Sequence, residues 1–187
     1  MVDMTHAQVP LLGFAARSGT GKTTLLKQII PLLKAEGFRV GLIKRSHHDA
    51  DIDYPGKDSY ELRQAGASPV MLSSSRRRAV ITEHALCRER TLAEELAFMD
   101  QSGLDLILVE GFKQEAFAKL ELCRAECGPP HYYLDDPHII AIASDTPLTL
   151  HRDIPQLNIN DPGQISQFIK TRCLNRPFTD TLNWNTL

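Results

Sequence analysis

An apolar run that breaks into a glycine-rich turn and then into a helix constrains this chain most, because few folds place those three pieces in that order. Pro10 to Ala16 (PLLGFAA) is short and apolar, and it runs into Arg17-Ser18-Gly19-Thr20-Gly21-Lys22-Thr23-Thr24. Lys22 to Glu36 then carries Leu25, Leu26, Ile29, Leu32 and Leu33 at helical spacing and stops at Gly37. Pro31 lies inside that stretch, where it is expected to kink or shorten the helix. Arg39 to Arg45 reads as a second strand. A strand–helix–strand opening favours a parallel sheet with right-handed crossovers.

The turn has the composition of an anion cradle. Gly19 and Gly21 let the backbone take positive φ and bring successive N–H groups round a phosphate, and the following helix adds the positive end of its dipole. Lys22 supplies a mobile charge for the outer phosphates, and the Thr23 hydroxyl suits Mg²⁺. Ser18, Gly19, Thr20, Gly21, Lys22, Thr23 and Thr24 are therefore the expected phosphate-binding residues. Ala16 stands where the pattern G-x-x-x-x-G-K-[ST] has its first Gly, and its methyl is tolerated if that residue keeps a negative φ. A variant class of these loops carries an extra Lys just after that position. Here the place holds Arg17, and the chain is not assigned to the variant.

The 187 residues suffice for one α/β domain, with a core over about residues 10–173 and an irregular tail over 174–187. A formal net charge of −2 gives no basic excess for nucleic acid or an anionic membrane. Neither a signal peptide nor an apolar span of membrane length is expected, so a cytoplasmic protein follows. Cys87, Cys123, Cys127 and Cys173 then read as free thiols. Further helices are expected over Lys57–Ala65, Leu92–Met99 and from an Asp161 N-cap to about Cys173. Val70–Ser73 and Ala79–Thr82 read as a hairpin at the sheet edge, and Leu104–Glu110, Lys119–Cys123 and His138–Ala143 as strands. The fold class is a P-loop NTPase-type α/β domain, mainly parallel, flanked by helices, with an added hairpin.

A phosphate loop needs an acidic partner for the metal at the end of a neighbouring strand. Glu110, after Leu106-Ile107-Leu108-Val109 and before Gly111, has that place. The loop Ser46-His47-His48-Asp49-Ala50-Asp51-Ile52-Asp53 offers Asp49 as an indirect Mg²⁺ ligand, and oxygen donors suit Mg²⁺ better than a transition metal. Cys123, Cys127 and His131 lack a C-x-x-C pair and are followed or separated by Gly128-Pro129-Pro130, so their spacing reads as incidental. Arg76, Arg77 and Arg78 read as a solvated turn, with a phosphate or carboxylate ligand as the alternative. For the base, Asn158-Ile159-Asn160-Asp161 lacks the Lys of the usual guanine motif. Asp145, just past a strand, could accept guanine N1–H and N2–H. These mechanics leave ATP and GTP both open.

Together the segments FAARSGTGKTTLL, GLIKRSHHDADIDYPGKDSYELRQAGA, LDLILVEGFK and IAIASDTPL resemble the MobB family of molybdopterin-guanine dinucleotide biosynthesis adaptor proteins, over roughly residues 10–170. The resemblance implies GTP and Mg²⁺ binding with weak GTPase activity in a homodimer joined through its β-structure. It implies as partner the guanylyltransferase that attaches GMP to molybdopterin, and leaves direct binding of the molybdopterin cofactor open. It carries phosphate binding to Ser18–Thr24, places Thr23 and Glu110 near the metal, and puts Asp49 at the carboxylate position that related dethiobiotin-synthetase-like enzymes use. The alternative is a small-molecule kinase, in which Asp49 or Asp53 would serve as base and the triple Arg as a lid.

Overall fold

The computed structural model describes residues 6–46, 52–86 and 88–174. They fall into two compact units, one of Met1–Arg45 with Arg90–Leu187 and the other of Ser46–Glu89.

In the first unit, β1 (Leu11–Ala16), β2 (Val40–Lys44), β5 (Leu106–Glu110), β6 (Lys119–Cys123), β7 (Ile139–Ser144) and β8 (Gln156–Asn158) form a six-stranded sheet in the order β2-β5-β1-β6-β7-β8. Every pairing in it is parallel. Its four inner strands, β5, β1, β6 and β7, are buried on both faces, as all-parallel sheets favour, while the edge strands β2 and β8 are partly exposed. The two-residue period of a strand sends alternate side chains to different cores. Leu12, Phe14, Leu106 and Leu108 join Leu25, Leu26, Ile29 and Leu33 of α1 (Lys22–Ala35) and Ile165 and Ile169 of α5 (Pro162–Ile169). Leu11, Ile107 and Val109 instead meet Leu92 and Leu96 of α3 (Leu92–Phe98).

Sequence expectation and structure differ in a few places. Helix α1 runs fourteen residues straight through Pro31, so the proline does not shorten it. The strand–helix–strand opening is present, yet β5 lies between β1 and β2. The short strand β8 and the single turn α4 (Tyr132–Asp135) were not anticipated. Helix α4 follows two prolines and has no helical run of apolar residues. It is held by the buried Glu121 carboxylate, which accepts from the N–H groups of His131, Tyr132 and Tyr133 at 2.6–3.0 Å. The Asp161 cap is present as expected, its Oδ1 accepting from Gln164 N–H at 2.9 Å. Lys119 is also buried, and its Nζ is 3.0 Å from Asp136 Oδ2 and donates to Phe117 O at 3.0 Å. Burial pushes its pKa down against the pull of Asp136.

In the second unit, α2 (Asp58–Gln64) precedes the hairpin of β3 (Val70–Ser73) and β4 (Arg78–Ile81), whose antiparallel pairing makes a separate two-stranded sheet. Arg63 of α2 pairs with Asp53 at 2.7 Å and with Glu83 at 2.6 Å.

Candidate nucleotide-phosphate site

Parallel strands put all their C-terminal ends on one rim, and β1 lies inside the sheet with β5 and β6 on either side. The loop that leaves β1 therefore has the ends of two other strands as neighbours. Ser18, Gly19, Thr20, Gly21, Lys22, Thr23 and Thr24 line a cavity of about 330 Å³ together with Glu110. The site residues expected for phosphate and the acidic residue expected for metal are thus brought together.

The backbone explains the glycines and the missing one. Gly19 has φ 83° and Gly21 has φ 91°, conformations that L side chains rarely adopt. A Cβ at Gly19 would meet no atom within 4 Å, so its requirement is conformational rather than spatial. Gly21 is the N-cap of α1, and Leu25 N–H donates to its carbonyl at 3.0 Å. Ala16 is the last residue of β1 and has no positive φ, which is why a methyl is accommodated there. Thr20 is buried, and its hydroxyl donates to Arg17 O at 2.9 Å, closing the turn.

Glu110 ends β5 in register with Lys44 at the end of β2, and Lys44 Nζ lies 3.3 Å from Glu110 Oε2. Behind it the chain turns sharply. Gly111 has φ 97°, and Phe112 is the one non-glycine with positive φ among the described residues, at 53°. Arg45 stacks its guanidinium 3.7 Å from the Phe112 ring centroid and lies 3.6 Å from Glu115 Oε1. The left-handed backbone is thus held by a neighbouring side chain. Thr23 and Glu110 line the same cavity, and a hydroxyl and a carboxylate are the hard oxygen donors that suit Mg²⁺.

Asp145 follows β7 on the same rim. Its Oδ1 accepts from Ala125 N–H at 2.9 Å, and its Oδ2 lies 3.7 Å from Arg124 Nη1. Asn158 and Asp161, the other base candidates, are used locally. Asn158 Oδ1 accepts from Asn160 N–H at 2.9 Å, and Asp161 caps α5. Asp53 is buried against Arg63, and Arg76, Arg77 and Arg78 lie in and beside the exposed hairpin turn, where the Ser74 hydroxyl accepts from Arg76 and Arg77 N–H. Asp49, His47 and His48 lie outside the described residues. Cys123, Cys127 and Cys173 are free. Burial, then the charges of Glu121 and Asp145, push the Cys123 thiol up, and burial pushes Cys173 up to about 12. Neither favours the thiolate that a metal would need.

Sequence reasoning missed Lys44 and Arg124. Both stand at or just past the end of a strand on the loop's rim, and that position was the available signal.

The family model of molybdopterin guanine dinucleotide synthesis protein B matches residues 11–145. The molybdopterin-guanine dinucleotide biosynthesis adapter protein of Escherichia coli (strain K12) is 53% identical over 162 residues, 86% of this chain and 91% of that protein. Its namesake from Haemophilus influenzae is 42% identical over 169 residues, 90% of this chain and 92% of that one. The crystal structure of Bacillus subtilis MobB superposes with a TM-score of 0.69 at 21% identity, covering 89% of this chain and 99% of the other, and so shares the fold. A family model matched over residues 11–145, a shared fold and two relatives of 53% and 42% identity agree: the chain belongs to the MobB family.

Proposed function

We propose that this protein is a GTP-binding adapter in the conversion of the molybdopterin cofactor to its guanine dinucleotide form, acting in the cytoplasm on a guanylyltransferase. The observation that carries the reading is the cavity in which the whole phosphate loop meets Glu110, in a chain of this family. Gly19, Gly21 and the start of α1 would cradle the phosphates through N–H groups, and Lys22 would neutralise the outer ones. Thr23 and Glu110 would hold Mg²⁺, which supplies charge neutralisation at the phosphate oxygens when bound. Asp145 would accept the guanine N–H donors, a contact that adenine cannot return.

Hydrolysis is expected to be slow. The two arginines bordering the loop are turned to main-chain carbonyls, Arg17 to Cys127 O and Arg124 to Thr20 O. An arginine aimed at the transferred phosphate is worth about 10³–10⁵ in rate where present. A homodimer joined through the hairpin is supported by Met71 and Val80, large apolar side chains left exposed on β3 and β4.

Calorimetric titration with GTP and ATP, with and without Mg²⁺, alongside phosphate release, tests the reading. GTP preferred, with turnover well below ~1 s⁻¹, supports the adapter. ATP preferred, with turnover that rises when an acceptor is supplied, replaces it with a kinase.

A further inference from the structure

Two arginines tie the outer side of the phosphate loop to the segment after β6. Arg17 Nη1 donates to Cys127 O at 2.8 Å, and Arg124 Nε donates to Thr20 O at 3.2 Å. The second contact reaches the loop's chemistry. A trans peptide is planar, with C=O and the next N–H on opposite sides. A donor that holds the Thr20 carbonyl on one side therefore aims the Gly21 N–H to the other.

Asp145 grips the same arginine from behind. Its Oδ2 lies 3.7 Å from Arg124 Nη1, and its Oδ1 takes the Ala125 N–H at 2.9 Å, which fixes the residue next to Arg124. Both side chains are largely shielded, 28% and 23% exposed, so their interaction is not a fully solvated one. One guanidinium thus stands between the carbonyl that orients the cradle and the carboxylate assigned above to the base.

We propose that Arg124 is a positioning residue for the phosphate loop and that Asp145 sets it, so that the base end and the phosphate end of the site are coupled through this guanidinium. The proposal rests on the nucleotide reading given above. It predicts that changing Asp145 alters the binding of a ligand that has no base at all.

The probe is inorganic tripolyphosphate, titrated beside GTP into the full chain and into Arg124→Gln, Arg124→Lys, Asp145→Asn and the Arg124→Gln/Asp145→Asn double variant, with Tm measured for each. Arg124→Gln is expected to weaken tripolyphosphate about tenfold at an unchanged Tm, and Arg124→Lys to recover part of that. Asp145→Asn is expected to weaken tripolyphosphate severalfold, and to add nothing in the Arg124→Gln background. Unchanged tripolyphosphate affinity in Arg124→Gln overturns the proposal, as does an Asp145→Asn effect of equal size in both backgrounds. A loss that tracks a falling Tm and is not restored by Lys assigns Arg124 to stability alone and also overturns it. Lys22→Ala keeps the two readings apart. If that variant binds GTP like the parent, the nucleotide assignment itself has failed; if it does not, the Arg124 and Asp145 variants decide the coupling by themselves.

Discussion

In the unit built on the six-stranded sheet, successive residues of β5 alternate between two apolar clusters and Leu106 to Val109 are fully buried. In Ser46–Glu89 the one buried residue among those described is a carboxylate, Asp53, while Ile52, Leu62 and Leu86 are each 60% exposed or more. The first unit is held by the burial of apolar surface, the second by strand pairing and an ion pair around Arg63. A unit without its own core opens locally at lower free energy than one with a core. The difference separates a sheet with its own apolar core, which carries the loop after β1, from a segment whose order depends on a few polar contacts.

The largest effect should come from Leu108→Ala, which empties space in the cluster β5 shares with α1 and should cost about 4 kcal/mol of global stability by denaturant unfolding. A cost below about 1 kcal/mol would mean that the sheet is not the source of stability. Arg63→Ala leaves Asp53 buried without its ion-pair partner, and should cost about 3 kcal/mol. Here the loss should be local: hydrogen exchange should quicken over residues 52–86 and stay slow in β1, β5 and β6. Equal acceleration everywhere would erase the distinction between the units. Lys22→Ala should weaken GTP about a hundredfold, a loss of about 2.7 kcal/mol, without moving the unfolding midpoint. Glu110→Gln should raise by about tenfold the Mg²⁺ concentration needed for half-maximal GTP binding, with metal-free binding nearly unchanged. An equal loss with and without Mg²⁺ would remove Glu110 from the metal.

What the sequence made legible was whatever rests on local rules. That Ser18–Thr24 and Glu110 line one cavity could be anticipated, because a glycine-rich loop and a buried strand each announce their own end. Asp161, Pro162 and Gln164 announced α5 in the same way. Glu121 and Lys119 could not be foreseen. A charged residue in a strand reads as solvent-facing until the chain that satisfies it is placed, and their partners come from the loop ahead of β6 and from the turn beyond Gly128-Pro129-Pro130. Arg124 could be placed at a strand end, but its contact could not be read, since the carbonyl it holds lies 104 residues away. The insertion of β5 between β1 and β2 is likewise long-range, because no local pattern counts neighbours in a sheet.

The strand order also sets a timetable for synthesis. Strand β1 pairs only with β5 and β6, Leu11 with Ile107 and Gly13 with Lys119, and β2 pairs only with β5. During translation the first 45 residues can make α1 but no sheet, and the phosphate loop stays without its flanking strands until more than 120 residues have left the ribosome. Pairings this distant make for slow folding and a long exposure of apolar β1. The loop after β1 therefore gains both of its flanking strands only when nearly two-thirds of the chain has emerged.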